Sequence, residues 1–286
     1  MAFSNRQAAL KIELVYEGGK VDHPRDPGGR TNQGITQRVY NSYRIKKGLA
    51  PQDVFDMASA ERDEIYNVQY FDAVKFDKLP AGVDLVLVDG AINSGPAQSI
   101  KWLQRALGLP ADGSIGEVTM ERLNSVEDYD LLIAAIIDRR IAFLKALTTW
   151  DDFGRGWLKR CATVKAKGQA WAVGSVGPDV TPINGSHHKA PVSSAKKPPM
   201  TAPADATASG GVVSGGLTTA QTTLQPMAES SQFVQHLLTF IIVLGVVATV
   251  GGLLWGWYAR RKRDELADVL DLVQQLPQQT EQEPQQ

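Results

Sequence analysis

Apolar residues recur every three to four positions through most of residues 1–172, a spacing that predicts a series of helices. The first helix is expected at the start of the chain, where Ala8, Ile12 and then Val15 or Tyr16 share one face and a Gly-Gly pair follows. Later stretches of the same kind are divided by Gly, Pro or Asp-Gly breaks, which predicts a mainly α-helical domain. These stretches are SAERDEIYNVQYFDAV, GVDLVLVDGAINSG, PAQSIKWLQRAL, GEVTMERLNSV and DYDLLIAAIIDRRIAFLKAL.

Residues 20–36 interrupt the helical pattern. Their sequence, KVDHPRDPGGRTNQGIT, places two prolines and three glycines among polar residues, which predicts turns or a short irregular hairpin rather than a helix. Because this stretch directly follows the first helix, we expect it to fold over the end of that helix, where Glu17 lies.

The composition changes after residue 172. Among the 60 positions of residues 173–232, 29 are Pro, Gly, Ser or Thr, which predicts a disordered linker. Between Glu229 and Arg260 the sequence contains no Asp, Glu, Lys or Arg. Such an apolar stretch, about 23 residues long, suffices to cross a hydrocarbon core. We therefore predict a single transmembrane helix over residues 233–259.

The charges around the apolar stretch predict its orientation. Arg260-Arg261-Lys262-Arg263 follows the stretch at once, whereas Lys197 is the nearest preceding cation. The positive-inside rule then places the tail, residues 260–286, in the cytoplasm and residues 1–232 on the outer, periplasmic side. The start of the chain is too charged for a secretory signal peptide, so the N-terminal domain is expected to cross the membrane by another route.

The overall charge narrows the classes of partner. The chain has 30 Lys and Arg against 31 Asp and Glu, a net charge of −1, which argues against nucleic acid as a partner. The single cysteine, Cys161, has no second cysteine with which to form an internal disulfide. Because no Cys/His cluster has the spacing of a zinc site, we expect neither a metal nor a cofactor.

Glu17 is the first candidate for chemistry. Cleavage of a glycosidic bond needs one carboxylic acid to protonate the leaving oxygen and a second group to act on the opposite face of the sugar. The partial negative charge of a helix C-terminus favours the protonated form of a nearby carboxyl group. Asp22 or Asp26 is a candidate second carboxylate, and Thr31 is a candidate holder of a water. On spacing alone, a solvated glutamate and an ordinary turn explain the same residues.

A run of residues around Glu17 resembles a known family. The run Glu17-Gly18-Gly19, Pro24, Asp26-Pro27-Gly28-Gly29, Thr31 and Gly34-Ile35-Thr36 resembles glycoside hydrolase family 108. The resemblance implies a lysozyme-like, α-rich catalytic domain with a short hairpin over residues 1–88, with Glu17 as the acid of an N-acetylmuramidase. It also implies an origin as a phage or prophage endolysin that degrades the cell wall. Lys20 departs from the family pattern, which often has an aromatic residue there.

A second resemblance covers residues 89–172. The module that accompanies the family is similar to four runs of this part: Asp89-Gly90-Ala91-Ile92-Asn93-Ser94-Gly95-Pro96, Trp102-Leu103-Gln104-Arg105-Ala106-Leu107-Gly108, Asp112-Gly113-Ser114-Ile115-Gly116 and Gly156-Trp157-Leu158-Lys159-Arg160. The resemblance implies a helical peptidoglycan-binding part, with peptidoglycan as the partner of the chain.

Three residues of this second part are candidates for substrate binding. Asn93 has the chemistry to hydrogen-bond an N-acetyl group, but it has equally the chemistry of a helix cap. Trp102 and Trp157 are candidate sugar platforms, although each lies on an apolar stripe that is typical of a core position. An alternative function needs the module but not the acid: a non-catalytic anchor that joins a membrane to peptidoglycan.

Overall fold

The computed structural model describes residues 3–22, 29–199 and 232–270, with only the backbone described at several positions near the start of the last range. The chain divides into two compact units, Met1–Lys196 and Lys197–Gln286. The first unit is mainly helical, as the apolar periodicity predicts.

The first unit begins with helix α1, Phe3–Glu17, which ends before the Gly-Gly pair as predicted. Three short antiparallel strands follow in the order β1-β2-β3: Lys20–Val21, Thr31–Asn32 and Ile35–Thr36. In the turn between β2 and β3, Gln33 and Gly34 have φ angles of 48° and 76°. A two-residue turn with positive φ at both positions matches the twist of a hairpin and favours glycine. The predicted irregular hairpin is therefore confirmed.

Three further elements pack beside the hairpin. Helix α2, Gln37–Lys46, starts at Thr36, whose Oγ1 accepts a hydrogen bond from the Val39 amide at 3.3 Å and so caps the helix. Helix α3, Ser59–Tyr66, continues into a π-helical turn, Asn67–Phe71. This arrangement brings Tyr66 beneath the hairpin, where its hydroxyl donates to the Gln33 carbonyl at 2.8 Å.

Helix α4, Val83–Ser94, forms the centre of the unit and is buried on almost every side, as its nearly continuous apolar sequence requires. The predicted domain boundary between residues 88 and 89 falls inside this helix, so the structure does not separate the two parts there. The helices that follow in chain order are α5, Pro96–Ala106; α6, Glu117–Asn124; α7, Tyr129–Lys145; and α8, Trp150–Ala172. Helices α5, α7 and α8 pack around α4.

The segment after α8 corrects the predicted start of the linker. Residues 173–196 belong to the first unit rather than to a free linker. Backbone hydrogen bonds join the segment to the end of α7: the Thr148 amide donates to the Ser194 carbonyl, and the Lys196 amide donates to the Ala146 carbonyl, both at 2.8 Å. Because many residues of the segment are small, its backbone can come close to the end of α7. Hydrogen bonds, rather than large apolar side chains, therefore hold the segment in place. Residues 200–231 of the predicted linker lie outside the described residues.

The second unit contains helix α9, Gln232–Val269. Among the residues that the structure describes, no helix combines the length and the apolar character needed to span a membrane. The transmembrane helix predicted over residues 233–259 is thus not supported by the described residues.

Asp84 at the start of α4 makes the stability of the first unit depend on pH. Burial raises the pKa of this carboxyl to about 6, against opposing hydrogen bonds from Asn5 and the backbone. The unfolded carboxyl ionises above about pH 4, whereas the folded one keeps its proton until about pH 6. Stability is therefore lost as the pH rises through this window.

The difference in unfolding free energy, Asp84→Asn minus wild type, is expected to increase by about 2 kcal/mol from pH 4.5 to pH 7.5. The reason is that asparagine cannot ionise, so only the wild type loses stability over this range. Urea unfolding monitored by tryptophan fluorescence at the two pH values measures this difference. Asp138→Asn, at an exposed position, is the matched control and should show little change. A difference that is the same at both pH values contradicts the prediction.

Candidate active site

Glu17 is the last residue of α1, and its side chain is only 1% exposed. The hairpin turn lies directly against it, since a Cβ added to Gly34 would stand 2.3 Å from Glu17 Oε2 and 2.7 Å from the Tyr66 hydroxyl. The helix therefore delivers the carboxylate beneath the hairpin, and only glycine leaves enough room at the turn.

Two cations contact the Glu17 carboxylate, one at each oxygen. Lys189 Nζ donates to Oε2 at 2.6 Å, and Arg160 Nη1 lies 3.4 Å from Oε1. Lys189 comes from the segment after α8, and Arg160 comes from α8 itself. Chain segments far apart in sequence thus meet at this one carboxylate.

Arg160 is the centre of a buried network of charges. Its Nε donates to Asp89 at 2.7 Å, its Nη2 donates to Glu13 at 2.7 Å, and its Nη1 also donates to the Ser186 carbonyl at 3.0 Å. Arg140 binds the other oxygen of Asp89. Burial alone would lower the pKa of Arg160, but the surrounding carboxylates raise it above its ordinary value. The guanidinium therefore stays charged within the core.

Glu13 and Asp89 share this network but differ in ionisation. Burial raises the pKa of Glu13 well above its usual range, and neighbouring Asp89 raises it further. Burial would also raise the pKa of Asp89, but Arg160 and Arg140 hold it below its usual value. Of the two carboxyl groups, Asp89 is therefore the more readily ionised and Glu13 the more readily protonated.

The other residues predicted for catalysis lie between residues 22 and 31 of the sequence. Thr31 lies on β2, half-buried, and its hydroxyl donates to the Gly29 carbonyl at 3.0 Å. Asp22 is exposed and accepts from Arg30 at 2.6 Å, in an ion pair that Arg30 shares with Asp53. Asp26 lies outside the described residues. The structure therefore places Thr31 on the same hairpin as the turn above Glu17 and ties Asp22 into a surface ion pair.

The three predicted substrate-binding residues are buried. Trp102 is 1% exposed and packs edge-on against Phe143, with ring centroids 5.4 Å apart. Trp157 is fully buried, and its indole Nε1 donates to the His188 carbonyl at 2.9 Å. The sugar-platform interpretation is wrong for both, because the apolar stripes that contain them face the core. Asn93, 2% exposed, donates to the same His188 carbonyl at 3.0 Å and so anchors the segment after α8.

Sequence reasoning missed most of the groups around Glu17. Glu13 precedes Glu17 by one helical turn, a spacing that places both carboxyl groups on one face and was available as a signal. Arg160 ends the run Gly156-Trp157-Leu158-Lys159-Arg160, which resembles the accompanying module, but the resemblance gives Arg160 no role. Lys189 gave no signal, since it lies in a stretch whose composition is typical of a linker.

Two family models and a solved structure match this chain. The family model described as Glycosyl hydrolase 108 matches residues 10–95, and the model described as Predicted Peptidoglycan domain matches residues 98–162. The solved structure of Brucella abortus SagA is 36% identical and matches with a TM-score of 0.53. The match covers 59% of this chain and 96% of that one. No curated protein matches the sequence.

The fold and these matches define a lysozyme-type glycoside hydrolase that acts on peptidoglycan. The chain belongs to glycosyl hydrolase family 108. Its activity is hydrolysis of the glycan strands of peptidoglycan, as an N-acetylmuramidase. The two matched regions are one structural unit, because Arg160 of the second region pairs with Glu13 and Glu17 of the first.

Gly34→Ala is expected to damage the site without unfolding the protein. The added methyl group displaces the Glu17 carboxylate, and a misplacement of about 1 Å can lower activity by about 10²-fold. Gly48→Ala is the matched control: its φ of 68° imposes a similar backbone strain, but nothing lies within 4 Å of the added Cβ. Both variants should lose about 1–2 kcal/mol of stability. Equal wall-cleavage rates for the two variants would contradict the prediction.

Proposed function

We propose that Glu17 is the general acid that protonates the glycosidic oxygen between N-acetylmuramic acid and N-acetylglucosamine. The observation that supports this role is the buried position of its carboxyl group at the end of α1, directly beneath the hairpin turn of the matched hydrolase region. A general acid needs an oxygen within about 3 Å of the leaving group. Glu17 Oε2 is the oxygen that faces the turn and Lys189.

The opposite face of the sugar is served, in this proposal, either by Asp26 or by a water that Thr31 holds. Asp26 and Thr31 both lie in the sequence region that the hydrolase family model matches. A retaining reaction uses the second carboxylate as a nucleophile, and an inverting reaction uses a base or a polar group that positions water. The two routes give products of opposite anomeric configuration.

Wall digestion by the full chain distinguishes these routes. Purified peptidoglycan is treated with wild type, Glu17→Gln, Asp26→Ala and Thr31→Val, and the reducing ends released are measured. Loss of activity in Asp26→Ala with recovery in sodium azide assigns Asp26 to the opposite face. Loss in Thr31→Val alone, with an inverted product, assigns the water route. Full activity in Glu17→Gln excludes Glu17 as the acid.

We further propose that residues 233–259 hold the enzyme to a membrane, with residues 260–286 in the cytoplasm and the hydrolase unit on the outer side. The absence of acidic and basic residues between Glu229 and Arg260, and the four cations that follow, support this orientation. Several described apolar side chains of α9 are exposed, among them that of Leu254, which is 63% exposed. Such a surface is typical of a site that contacts a membrane or another protein. Other apolar residues, among them Leu237, Leu238, Ile241 and Ile242, lie outside the described side chains.

Fractionation and protease protection test this arrangement. We expect the full chain to stay in the membrane pellet after alkaline carbonate extraction, and protease added to intact spheroplasts to remove the hydrolase unit. Release into the supernatant would exclude a transmembrane helix, and protection from protease would exclude the outward orientation. We also propose, from the resemblance to glycoside hydrolase family 108, that the protein acts as a phage or prophage endolysin. This role predicts lysis when the full chain is expressed in the host.

A further inference from the structure

Residues 183–196, here called the strap, lie across the hydrolase unit beyond both family matches, which end at residues 95 and 162. The strap therefore lies outside the residues that the two family models match.

The strap is anchored on both sides of Lys189. The His188 carbonyl accepts from Trp157 Nε1 and Asn93 Nδ2, and the Ala190 amide donates to the Asn93 carbonyl at 2.8 Å. The His188 ring stacks on Phe153, with centroids 3.8 Å apart. Because both neighbours of Lys189 are held in this way, the backbone of Lys189 has a fixed position. The ammonium group at the end of its side chain lies 2.6 Å from Glu17 Oε2.

Gly156 of α8 allows the strap to lie this close. A Cβ at this position would stand 2.6 Å from the Asn184 carbonyl oxygen and 2.9 Å from the Ser186 amide nitrogen. Both are backbone atoms, so a side chain at Gly156 and the strap cannot occupy their present positions together. Gly156 does not contact Glu17, and it therefore offers a way to displace the strap without touching the acid.

The strap closes the site in this arrangement. The Lys189 ammonium group lies 2.6 Å from Glu17 Oε2, within the roughly 3 Å at which a general acid contacts its leaving oxygen. Solvent reaches the Lys189 side chain, which is 37% exposed, but hardly the Glu17 side chain, which is 1% exposed. A glycosidic oxygen that approaches Oε2 from the side of Lys189 therefore requires Lys189 to leave.

We propose that the strap is an autoinhibitory latch, in which Lys189 occupies Glu17 until the strap is displaced. This inference rests on the proposed role of Glu17 as the acid. Opening breaks a partly exposed ion pair and a small number of hydrogen bonds, so the closed and open forms are able to exchange without unfolding the helices.

Two variants of the full chain test the latch by different means. Lys189→Ala removes the cation, and Gly156→Ala pushes the strap away while improving the helix propensity of α8. Lys197→Ala, an exposed lysine further along the chain, is the charge-matched control. Initial rates of reducing-end release from purified peptidoglycan are measured beside hydrogen exchange of the backbone amides of residues 183–196.

We expect both variants to raise the rate by about threefold or more, as a shift of population toward the open form does, and to speed hydrogen exchange in the strap. Lys197→Ala should change neither. A rate that stays equal or falls in both variants overturns the latch, whether or not exchange is faster. Each variant is repeated with Glu17→Gln: if those double variants still cleave, the role of Glu17 has failed, whereas inactive double variants confine any failure to the latch.

Discussion

Glu17→Gln in the full chain is expected to lower the rate of peptidoglycan cleavage by about 10²–10⁴-fold, the range that general acid catalysis contributes. Glutamine keeps the size of the side chain, and its one carbonyl oxygen can accept from either Lys189 or Arg160. It has no acidic proton to give to the leaving oxygen. Release of reducing ends from purified walls measures the effect.

The controls separate a chemical loss from a structural one. Glu117→Gln removes an exposed carboxyl group on α6 and should leave the rate unchanged. Glu17→Gln should still bind insoluble peptidoglycan in a pelleting assay, since the acid is not needed for binding. A variant that binds and cleaves as well as the wild type would show that another group supplies the proton.

Arg160→Ala is expected to lower the free energy of unfolding by about 3–5 kcal/mol, the usual cost of removing one partner from a buried ion pair. The side chain is fully buried, and its removal leaves Asp89 and Glu13 without their shared cation. The Ser186 carbonyl of the strap loses its donor as well. Urea unfolding followed by tryptophan fluorescence measures the difference.

Arg155→Ala, exposed on the same helix, is the matched control and should change stability by less than about 0.5 kcal/mol. Arg160→Lys keeps the charge but cannot reproduce the several directed N–H bonds of the guanidinium group, so an intermediate loss is expected. If Arg160→Ala were as stable as Arg155→Ala, the buried network would not hold the two matched regions together.

The Arg160 network also explains why two family regions behave as one unit. Its members come from α1, α4, α7 and α8, and each ion pair joins helices that are distant in sequence. Separating the regions would expose or orphan these charges in both parts. Of the two cations that contact Glu17, Arg160 lies in the region that the peptidoglycan model matches, and Lys189 lies beyond it.

Local patterns were enough to predict several parts of the site. The apolar spacing of α1 and the following Gly-Gly pair placed Glu17 at a helix end, and the density of Pro and Gly predicted the hairpin. Both features depend on residues within a few positions of one another. The sugar-platform interpretation of Trp102 and Trp157 is wrong, whereas the apolar stripes that contain them are typical of the core positions that both residues occupy.

The sequence by itself determined the helical class, the hairpin after α1, the family and the position of Glu17 at the end of its helix. Only the tertiary structure decided that Glu17 is buried and that two cations contact it. Arg160 is 143 positions away from Glu17 and Lys189 is 172 positions away. Contacts over such separations follow from the packing of α8 and the strap against α1. The strap has the composition of a linker because hydrogen bonds of its backbone, rather than apolar side chains, hold it in place.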